Sequence, residues 1–279
     1  KLHLPEFEIV TADQRIRWRS EKAILEIQPW NVHRYRLVLF GSHLIDLEFQ
    51  NKPLRYSIIS KRADLVSELS SNGWPSQAAI NLGEVSVFHN GGKQVFFLSR
   101  LEILVSVTGH TQMTYSEPSL ELSVSADSLI LSSLENQPLG NQIQNFGTGL
   151  KVLGPIDQYD KSGINEWRQD GGTIEVAWFK TVWGSLDLRA AGTITLDDQL
   201  RPLAAMTTEI RGYVEALNAL EEKNIIPRSA ARTGQIALNM LATPSVDGTP
   251  PVLSLPLTAQ DGAVYLGPLK LAQVPSLFY

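Results

Sequence analysis

The amino-acid sequence predicts an α+β fold that is mostly antiparallel β-sheet, with a helical pair near the C-terminus. Runs of alternating apolar and polar residues recur along the chain, interrupted by glycine and proline. A period of two gives each strand one dry and one wetter face, which suits an antiparallel sheet covered on one side. Residues 209–242 instead hold apolar residues at helical spacing in two consecutive stretches. We therefore expect one or more curved, elongated sheets, with the helical pair packed on one side or at one end.

The clearest strands lie in residues 171–202, GGTIEVAWFKTVWGSLDLRAAGTITLDDQLRP, which predict a meander of three strands and two turns. Gly192 interrupts the second strand and predicts a bulge or a bend there. Asp197 and Asp198 supply the residues of a turn. Alternation places a set of apolar side chains on one face of the meander. If that face binds an apolar ligand, its lining consists of Ile174, Val176, Trp178, Leu186, Leu188 and Ile194.

Residues 83–109 predict a long hairpin, because Asn90-Gly91 matches the type I′ turn that joins two strands tightly. The second arm is long for one strand, so it predicts either a wide, bent sheet or two strands joined at a bulge. Residues 60–73 hold apolar residues at helical spacing and end at Gly73, which predicts a helix.

A short helix that ends at Gly171 is predicted within residues 158–172. In the C-terminal helical pair, Pro227 is expected near the start of the second helix, where a missing N–H costs little. The apolar faces of the two helices are expected to comprise Val214, Leu217, Leu220, Ile236, Leu238 and Leu241.

The length of the chain allows two domain organisations. With 279 residues, of which 43% are hydrophobic, the chain can bury a large core, and we expect a single β-rich domain over residues 1–279. The alternative is two similar halves that meet near residues 132–149, a polar stretch. It rests on a helix, a glycine and paired long strands, which recur in residues 62–108 and 160–196.

Composition excludes several classes of function. The net charge is -5 and charged residues make up 19% of the chain, so no nucleic-acid partner is expected. The absence of cysteine excludes disulfides, thiolate metal sites and a cysteine nucleophile. No apolar run is long enough for a transmembrane helix. Because the first residue is Lys1, either a signal peptide or N-terminal anchor has been removed, or the sequence begins late.

No catalytic or metal-binding pattern stands out. The five histidines show no ligand spacing on a helix. His33 and His43 lie ten residues apart, on or beside different predicted strands, and invite a metal site; surface histidines are the favoured interpretation. The adjacent carboxylates at 197–198 and 221–222 point apart on a turn or helix, so they do not converge on a substrate. We expect no enzyme, no metal and no cofactor.

Two groups of residues invite a binding role. In RIRWRS, Arg15, Arg17 and Arg19 lie on one side of a strand and suit contact with a partner or with lipid phosphates. An edge strand kept soluble by its charge is the favoured interpretation of this segment. The six tryptophans suit the core, or alternatively an apolar groove or a rim that touches a membrane surface or a partner. They are Trp18, Trp30, Trp74, Trp167, Trp178 and Trp183.

The C-terminal part of the chain shows an ordered set of motifs. GGTIEV is followed by WGSLDLRAAGTITLDDQLRP, by the helical pair and by LPLTAQDGAVYLGPLKLAQVP, and the chain ends near an aromatic residue. This order resembles the alphaproteobacterial domain-of-unknown-function family numbered 2125, over residues 171–278. LEIQPWNVHRYRLVLFG, residues 25–41, adds a looser match.

The resemblance implies an exported bacterial protein without an assigned activity, and it supplies no catalytic residues. The strand-rich halves also resemble AsmA-type proteins, whose curved sheets handle lipids in the envelope; this second step is an analogy between folds. We therefore expect a non-enzymatic envelope protein of a Gram-negative bacterium that binds a lipid or other apolar ligand on the concave face of a curved sheet. We expect it to be periplasmic or exported, with a removed N-terminal membrane anchor as one option.

Two alternatives remain open. The first is a periplasmic protein–protein interaction or assembly module without a small-molecule ligand, in which a strand edge or the RIRWRS segment docks on an envelope protein by strand addition. The second is a hydrolytic enzyme whose site is assembled from distant residues.

Overall fold

The computed structural model describes residues 1–11, 14–49, 52–70, 75–89, 92–108, 114–132, 137–156, 158, 160–244 and 250–278. The strands are β1 (Leu2–Leu4), β2 (Phe7–Val10), β3 (Ile16–Gln28), β4 (Asn31–Phe49), β5 (Lys52–Leu69), β6 (Pro75–His89), β7 (Gln94–Val107), β8 (Pro118–Leu131), β9 (Gln142–Leu153), β10 (Thr173–Trp183), β11 (Leu186–Leu196), β12 (Pro202–Arg211), β13 (Leu253–Gln260), β14 (Ala263–Leu266) and β15 (Leu269–Gln273). The helices are α1 (Lys161–Gln169), α2 (Tyr213–Glu222) and α3 (Arg228–Leu241).

The fifteen strands form one mostly antiparallel sheet whose spatial order almost follows the order of the chain. From β3 to β15 each strand neighbours the next one in sequence, and β1 and β2 both pair with β3. Such a meander needs no long crossover connections. The predicted α+β fold, with its helical pair near the C-terminus, is confirmed.

The chain folds as two compact units. Unit 1 comprises Lys1–Ser106 and Ser123–Asn145, and unit 2 comprises Val107–Leu122 and Phe146–Tyr279. Strands β8 and β9 contribute residues to both units, and all three described helices belong to unit 2. One of the boundaries falls within residues 132–149, the junction that the alternative with two halves predicts. The similarity of the two halves stays a prediction.

A line of backbone irregularities, which we call the crease, crosses β3 to β6 in unit 1. Glu21 of β3 is opposed by two residues of β4, at 41–42. Phe40 of β4 is likewise opposed by two residues of β5, at 61–62. In β6, Glu84 has a positive φ of 47°. Because an extra residue bends a strand and increases its twist, these aligned bulges are local sources of sheet curvature.

The predicted helix at residues 60–73 is wrong where the structure describes it, because most of the segment belongs to strand β5. Strand β5 pairs along its length with β4 on one side and β6 on the other. Two ladders of interstrand hydrogen bonds outweigh a helical preference. Gly73 lies outside the described residues.

The long hairpin predicted for residues 83–109 is confirmed as β6 paired with β7. Its second arm is the single 14-residue strand β7. The pairing contains an irregularity at Val87 and Phe88. The turn residues Asn90 and Gly91 lie outside the described residues.

The helices of unit 2 begin and end near the predicted positions. Asp160 caps α1 by accepting a hydrogen bond from the Gly163 amide at 2.9 Å, and Gly171 follows α1 in a left-handed conformation. Pro227 precedes α3 directly. The expected apolar face of α3 is partly wrong, because Ile236 is 64% exposed.

The helical pair packs on the sheet of unit 2 through only part of its predicted apolar set. Val214 and Leu238 join the cluster that contains Ile210 and Leu253. Leu241 is 58% exposed, although its spacing suited the buried face. The helices therefore keep apolar side chains on an outer surface.

Gly212, the N-cap of α2, tests how tightly this helix is joined to the sheet. Its φ is 73°, and a Cβ there would overlap the backbone carbonyl of Ser185. Gly212→Ala should lower the free energy of unfolding by more than about 2 kcal/mol, because left-handed strain and a backbone clash add. Gly171→Ala is the control, since its φ is 92° but its Cβ would meet open space. Equal losses in denaturant titrations would contradict the clash.

Candidate ligand-binding face

The expected lining in unit 2 is divided by a bulge in β10. The register changes between Val176, which faces Gly192, and Phe179, which faces Ala190. Two residues of β10, Ala177 among them, therefore oppose one residue of β11, and the alternation of faces shifts by one. The predicted irregularity beside Gly192 is present, but the extra residue belongs to the neighbouring strand.

The bulge moves Trp178 away from the other predicted lining residues, so the expectation that it shares their face is wrong. Its side chain is 37% exposed and lies over Gly149 of β9, where a Cβ would overlap the indole ring. The Lys180 Nζ atom lies 5.7 Å from the centroid of that ring. Phe179 instead lies on the face that Trp178 was expected to share. It packs edge-to-face on Phe146, with 5.7 Å between the ring centroids.

The other five predicted lining residues face the packed side of unit 2. Leu186 and Leu188 pack on the cluster of Ile210, Tyr213 and Leu253, beneath α2 and α3. Ile174 packs on the cluster that contains Trp167 of α1.

Val176 is 4% exposed, and Ile194 is partly buried opposite Ile174. The contacts of these five residues are those of a core between a sheet and helices. Their role in ligand binding stays a prediction.

Val176→Asp distinguishes a core from a ligand-binding lining in unit 2. A carboxylate in this 4% exposed position would be buried without a partner, so we expect the free energy of unfolding to fall by about 3–5 kcal/mol. The adjacent, exposed Ala177→Asp is the control and should change stability little. A folded Val176→Asp protein that no longer retains lipid would instead identify a ligand-binding lining.

Unit 1 contains a second apolar surface, which the register of five strands assembles. Each member of two rows is the Cα partner of the next across β3, β4, β5, β6 and β7. The first row consists of Leu25, Leu37, Leu65, Ile80 and Ile103. The second row consists of Ala23, Leu39, Ala63, Leu82 and Leu101. We call these two rows together the apolar face.

The two rows differ in exposure. In the second row Ala23, Leu39 and Ala63 are at most 4% exposed, because Leu25, Leu65 and other side chains pack around them. In the first row Leu37 is buried and the other four members keep part of their surface exposed. The small alanines of the second row are thus buried beneath larger neighbours, whereas the first row still exposes aliphatic surface.

Charged side chains of the same strands lie on the opposite face. Asp64 accepts a hydrogen bond from Arg36 at 2.6 Å and also pairs with Arg62. Lys1 and Glu26 form an ion pair at 2.8 Å. Because neighbours along a strand point to opposite sides, these pairs on β3, β4 and β5 leave the apolar face without charge.

The apolar face and the predicted lining of unit 2 differ in what covers them. In unit 2 the three helices supply side chains that pack on the sheet. None of the described residues of unit 1 forms a helix that could cover the apolar face. This surface does not follow from the sequence pattern, because residues 60–73 predict a helix where the structure has the central strand β5. The alternation of Ala63, Leu65 and Ser67 is the sequence signal that indicates a strand there.

Beyond the crease the same side of unit 1 continues with a more polar row. It consists of Ser20, His43, Ile58, Val87 and Phe96. His43 is 4% exposed, so the surface interpretation is wrong for this histidine. Neither ring nitrogen has a hydrogen-bond partner, nor does Nε1 of Trp18, whose ring centroid lies 6.1 Å away. Burial lowers the pKa of His43, and the Glu21 carboxylate acts in the opposite direction.

The lowered pKa of His43 predicts a pH dependence of stability. The unfolded chain takes up the proton near pH 6.5, while the folded protein does so only at lower pH. The unfolded state therefore binds more protons in this window, and the free energy of unfolding should fall as the pH drops below about 6.5. His43→Phe should flatten the dependence, measured by denaturant titration, whereas the exposed His33→Phe should not. An unchanged slope in His43→Phe would refute the assignment.

The histidines form no metal site in the part of the chain that the structure describes. No group of three or more histidine, aspartate or glutamate side chains is suitably placed there. His33 and His43 lie on the same strand, β4, with one exposed and one buried. His110 lies outside the described residues.

The predicted arginine surface is largely neutralised by neighbouring carboxylates. Arg17 pairs with Glu8 at 3.2 Å, and Arg19 pairs with Asp46 at 2.8 Å. Arg15 lies just before β3 and is exposed. The edge-strand interpretation is wrong, because β3 has β4 on one side and β1 and β2 on the other. Contact of the three arginines with a partner or with head groups stays a prediction.

The adjacent carboxylates serve local structure. Asp197 accepts hydrogen bonds from the amides of Gln199 and Arg201 and from the Arg201 guanidinium at 2.7 Å, which confirms the predicted turn. Glu221 pairs with Arg228 at 3.2 Å, between the two C-terminal helices.

The tryptophans occupy contrasting positions. Trp167 is 4% exposed and belongs to the core of unit 2, whereas Trp30 is 82% exposed. Trp18 and Trp183 are partly buried. Trp74 lies outside the described residues. The core interpretation thus holds for Trp167 and fails for Trp30.

Comparison with known proteins assigns the chain to a family. A family model described as "Uncharacterized protein conserved in bacteria (DUF2125)" matches residues 1–275. The chain belongs to this family. The match extends the resemblance from the C-terminal part to nearly the whole DUF2125 chain, including the strands of the apolar face. Neither the curated proteins nor the solved structures yield a match. None of the described helices has the length and apolar character needed to cross a bilayer.

Proposed function

We propose that this DUF2125 protein is a non-catalytic component of the bacterial cell envelope that binds the acyl chain of a lipid on the apolar face of unit 1. One observation supports the choice of face above all. The Leu25 row is aliphatic across five strands and keeps part of its surface exposed, and the unit has no described helix to cover it.

The dimensions and chemistry of the apolar face suit an acyl chain. Adjacent strands are 4.7–4.9 Å apart, so a row that crosses five strands extends over about 19 Å. Aliphatic side chains offer no directional hydrogen bonds, which fits a ligand recognised by its apolar area. Burial would stabilise the complex by roughly 25 cal/mol per Å² of apolar surface removed from water.

The location of the ionisable groups near the apolar face supports the non-catalytic part of the proposal. Arg36, Arg62, Asp64 and Glu26 pair with one another or with Lys1 on the side away from the apolar face. The buried His43 has no carboxylate hydrogen-bonded to its ring that could orient it as a general base.

The proposed location is the periplasm or another exported compartment. The support is what the resemblance in the sequence implies, an exported bacterial protein, together with the lipid ligand proposed above. The likeness to AsmA-type proteins is part of this proposal as an analogy between folds.

A second candidate function is partner binding by strand addition at β15. This strand is the last in the sheet order, and among the described strands it pairs only with β14. All five of its residues are exposed, with Leu269 at 61% and Leu271 at 51%. An exposed, partly apolar edge strand offers unpaired backbone groups to an extended segment of another protein.

Lipid retention tests the proposal with two neighbouring residues of β7. Ile103 belongs to the apolar face, and Leu104 is 45% exposed on the opposite face. Ile103→Asn should lower the amount of co-purified lipid roughly tenfold, because an unpaired amide would face the acyl chain. Leu104→Asn should leave it unchanged. Native mass spectrometry of protein from the envelope fraction, followed by solvent extraction, gives both the added mass and its identity.

Two outcomes would overturn the proposal. Wild-type protein that is found at its bare mass of 30.9 kDa and yields no extractable lipid would show that no lipid is bound. Equal lipid loss in Ile103→Asn and Leu104→Asn would place the lipid elsewhere. A stoichiometric protein partner that is lost in Leu271→Pro would favour strand addition at β15.

A further inference from the structure

The turn between β3 and β4, residues 27–34, exposes an unusual concentration of apolar side chains; we call it the tip. Trp30 is 82% exposed, Val32 65% and Ile27 50%. Leu2 of β1, which pairs with Leu25 close by, is 55% exposed. An exposed tryptophan with aliphatic neighbours at a turn is unfavourable in water, so this surface calls for an explanation.

The pairing register explains why the tip presents these residues. Ile27 pairs with Tyr35, but the next pair is Gln28 with Asn31. Residues 32–34 of β4 therefore have no counterpart on β3 and form an irregular bulge of three residues beside the turn. Bulges re-aim side chains that would otherwise alternate, and here Val32 and Trp30 end up exposed together.

The tip is continuous with the apolar face. Ile27 is two residues beyond Leu25 on β3, so it lies on the same side of the sheet as the Leu25 row. Its partner Tyr35 is two residues before Leu37 on β4. Apolar surface thus runs from the exposed tip directly onto the rows that are proposed to bind an acyl chain.

The size and chemistry of the tip favour a lipid surface over a protein partner. A stable protein interface takes about 800 Å² and 20–30 residues from each side, far more than three side chains of one turn and the neighbouring Leu2 provide. A bilayer needs no complementary surface, and tryptophan prefers the boundary between head groups and acyl chains. Arg34, exposed within the tip, suits an anionic head group.

We propose that the tip inserts into the surface of a lipid bilayer, and that acyl chains pass there between the bilayer and the apolar face. The insertion rests on the exposure of the tip. The passage of acyl chains rests on the proposed function. The ligand would then move along Ile27 and Tyr35 to the Leu25 row without crossing a charged surface, since Glu26 and Arg36 point to the opposite side.

Vesicle binding tests the insertion. The probe is vesicles of phosphatidylcholine with a minor fraction of phosphatidylglycerol, and the readout is co-sedimentation of purified protein. The double variant Trp30→Ser with Val32→Ser should lower the partition coefficient at least about tenfold, because two exposed apolar side chains no longer enter the bilayer. The same variant should melt like the wild type, since both residues are exposed.

A matched control comes from unit 2, where Ile236 and Met240 of α3 are 64% and 82% exposed. Ile236→Ser with Met240→Ser removes comparable apolar surface and should leave vesicle binding unchanged. Brominated acyl chains should also quench a part of the tryptophan emission that Trp30→Phe removes. Wild-type protein that does not bind vesicles, or an equal loss in the α3 control, would overturn the inference.

The amount of lipid retained by the same proteins distinguishes a failure of this inference from a failure of the proposed function. If wild-type protein carries lipid but does not bind vesicles, the tip proposal fails and the acyl-binding face stands. If vesicle binding depends on Trp30 but no lipid is retained, the insertion stands, and both the acyl-binding face and the passage of acyl chains fail.

Discussion

The pairing register of adjacent strands is the constraint on which this structure depends. Because side chains alternate along a strand, the register decides which residues of five neighbouring strands share a face, and a slip of one position exchanges the faces. In unit 1 the register aligns aliphatic residues into two rows and sends charged residues to the other side. The bulges of the crease shift the register on β4 and β5 at adjacent positions. Side chains on the same side of the sheet therefore remain shielded from water beyond the crease.

The two units cover the apolar side of the sheet in different ways. Unit 2 covers its apolar side with α1 at one end, through Trp167, and with α2 and α3 at the other, through Val214 and Leu238. Unit 1 has no described helix and packs its apolar side chains partly on one another, as Leu39 does with Ala23 and Ala63. A sheet whose apolar side chains pack only on one another leaves some aliphatic surface in contact with water. An apolar ligand that binds there would remove this surface from water.

Sequence patterns predicted much of the fold because strands and helices differ in the period of their apolar residues. The C-terminal helical pair follows from that signal, and the Asn90-Gly91 dipeptide adds the hairpin of β6 and β7. The three strands predicted for residues 171–202 are partly wrong, because that segment holds β10 and β11 while β12 only begins at Pro202. The helix assigned to residues 60–73 was wrong because Ala63, Leu65 and Val66 satisfy both periods in a short window, and only the neighbouring strands β4 and β6 decide between them.

The candidate site was harder to predict because it exists only after the strands have paired. The Leu25 row draws one residue from each of five strands, and none of these residues stands out in its own segment. The predicted lining in unit 2 had the opposite problem, since its alternation was visible but the bulge beside Trp178 and the covering helices were not. A long apolar alternation therefore indicates a dry face, while the elements that pack on it decide between a core and a binding surface.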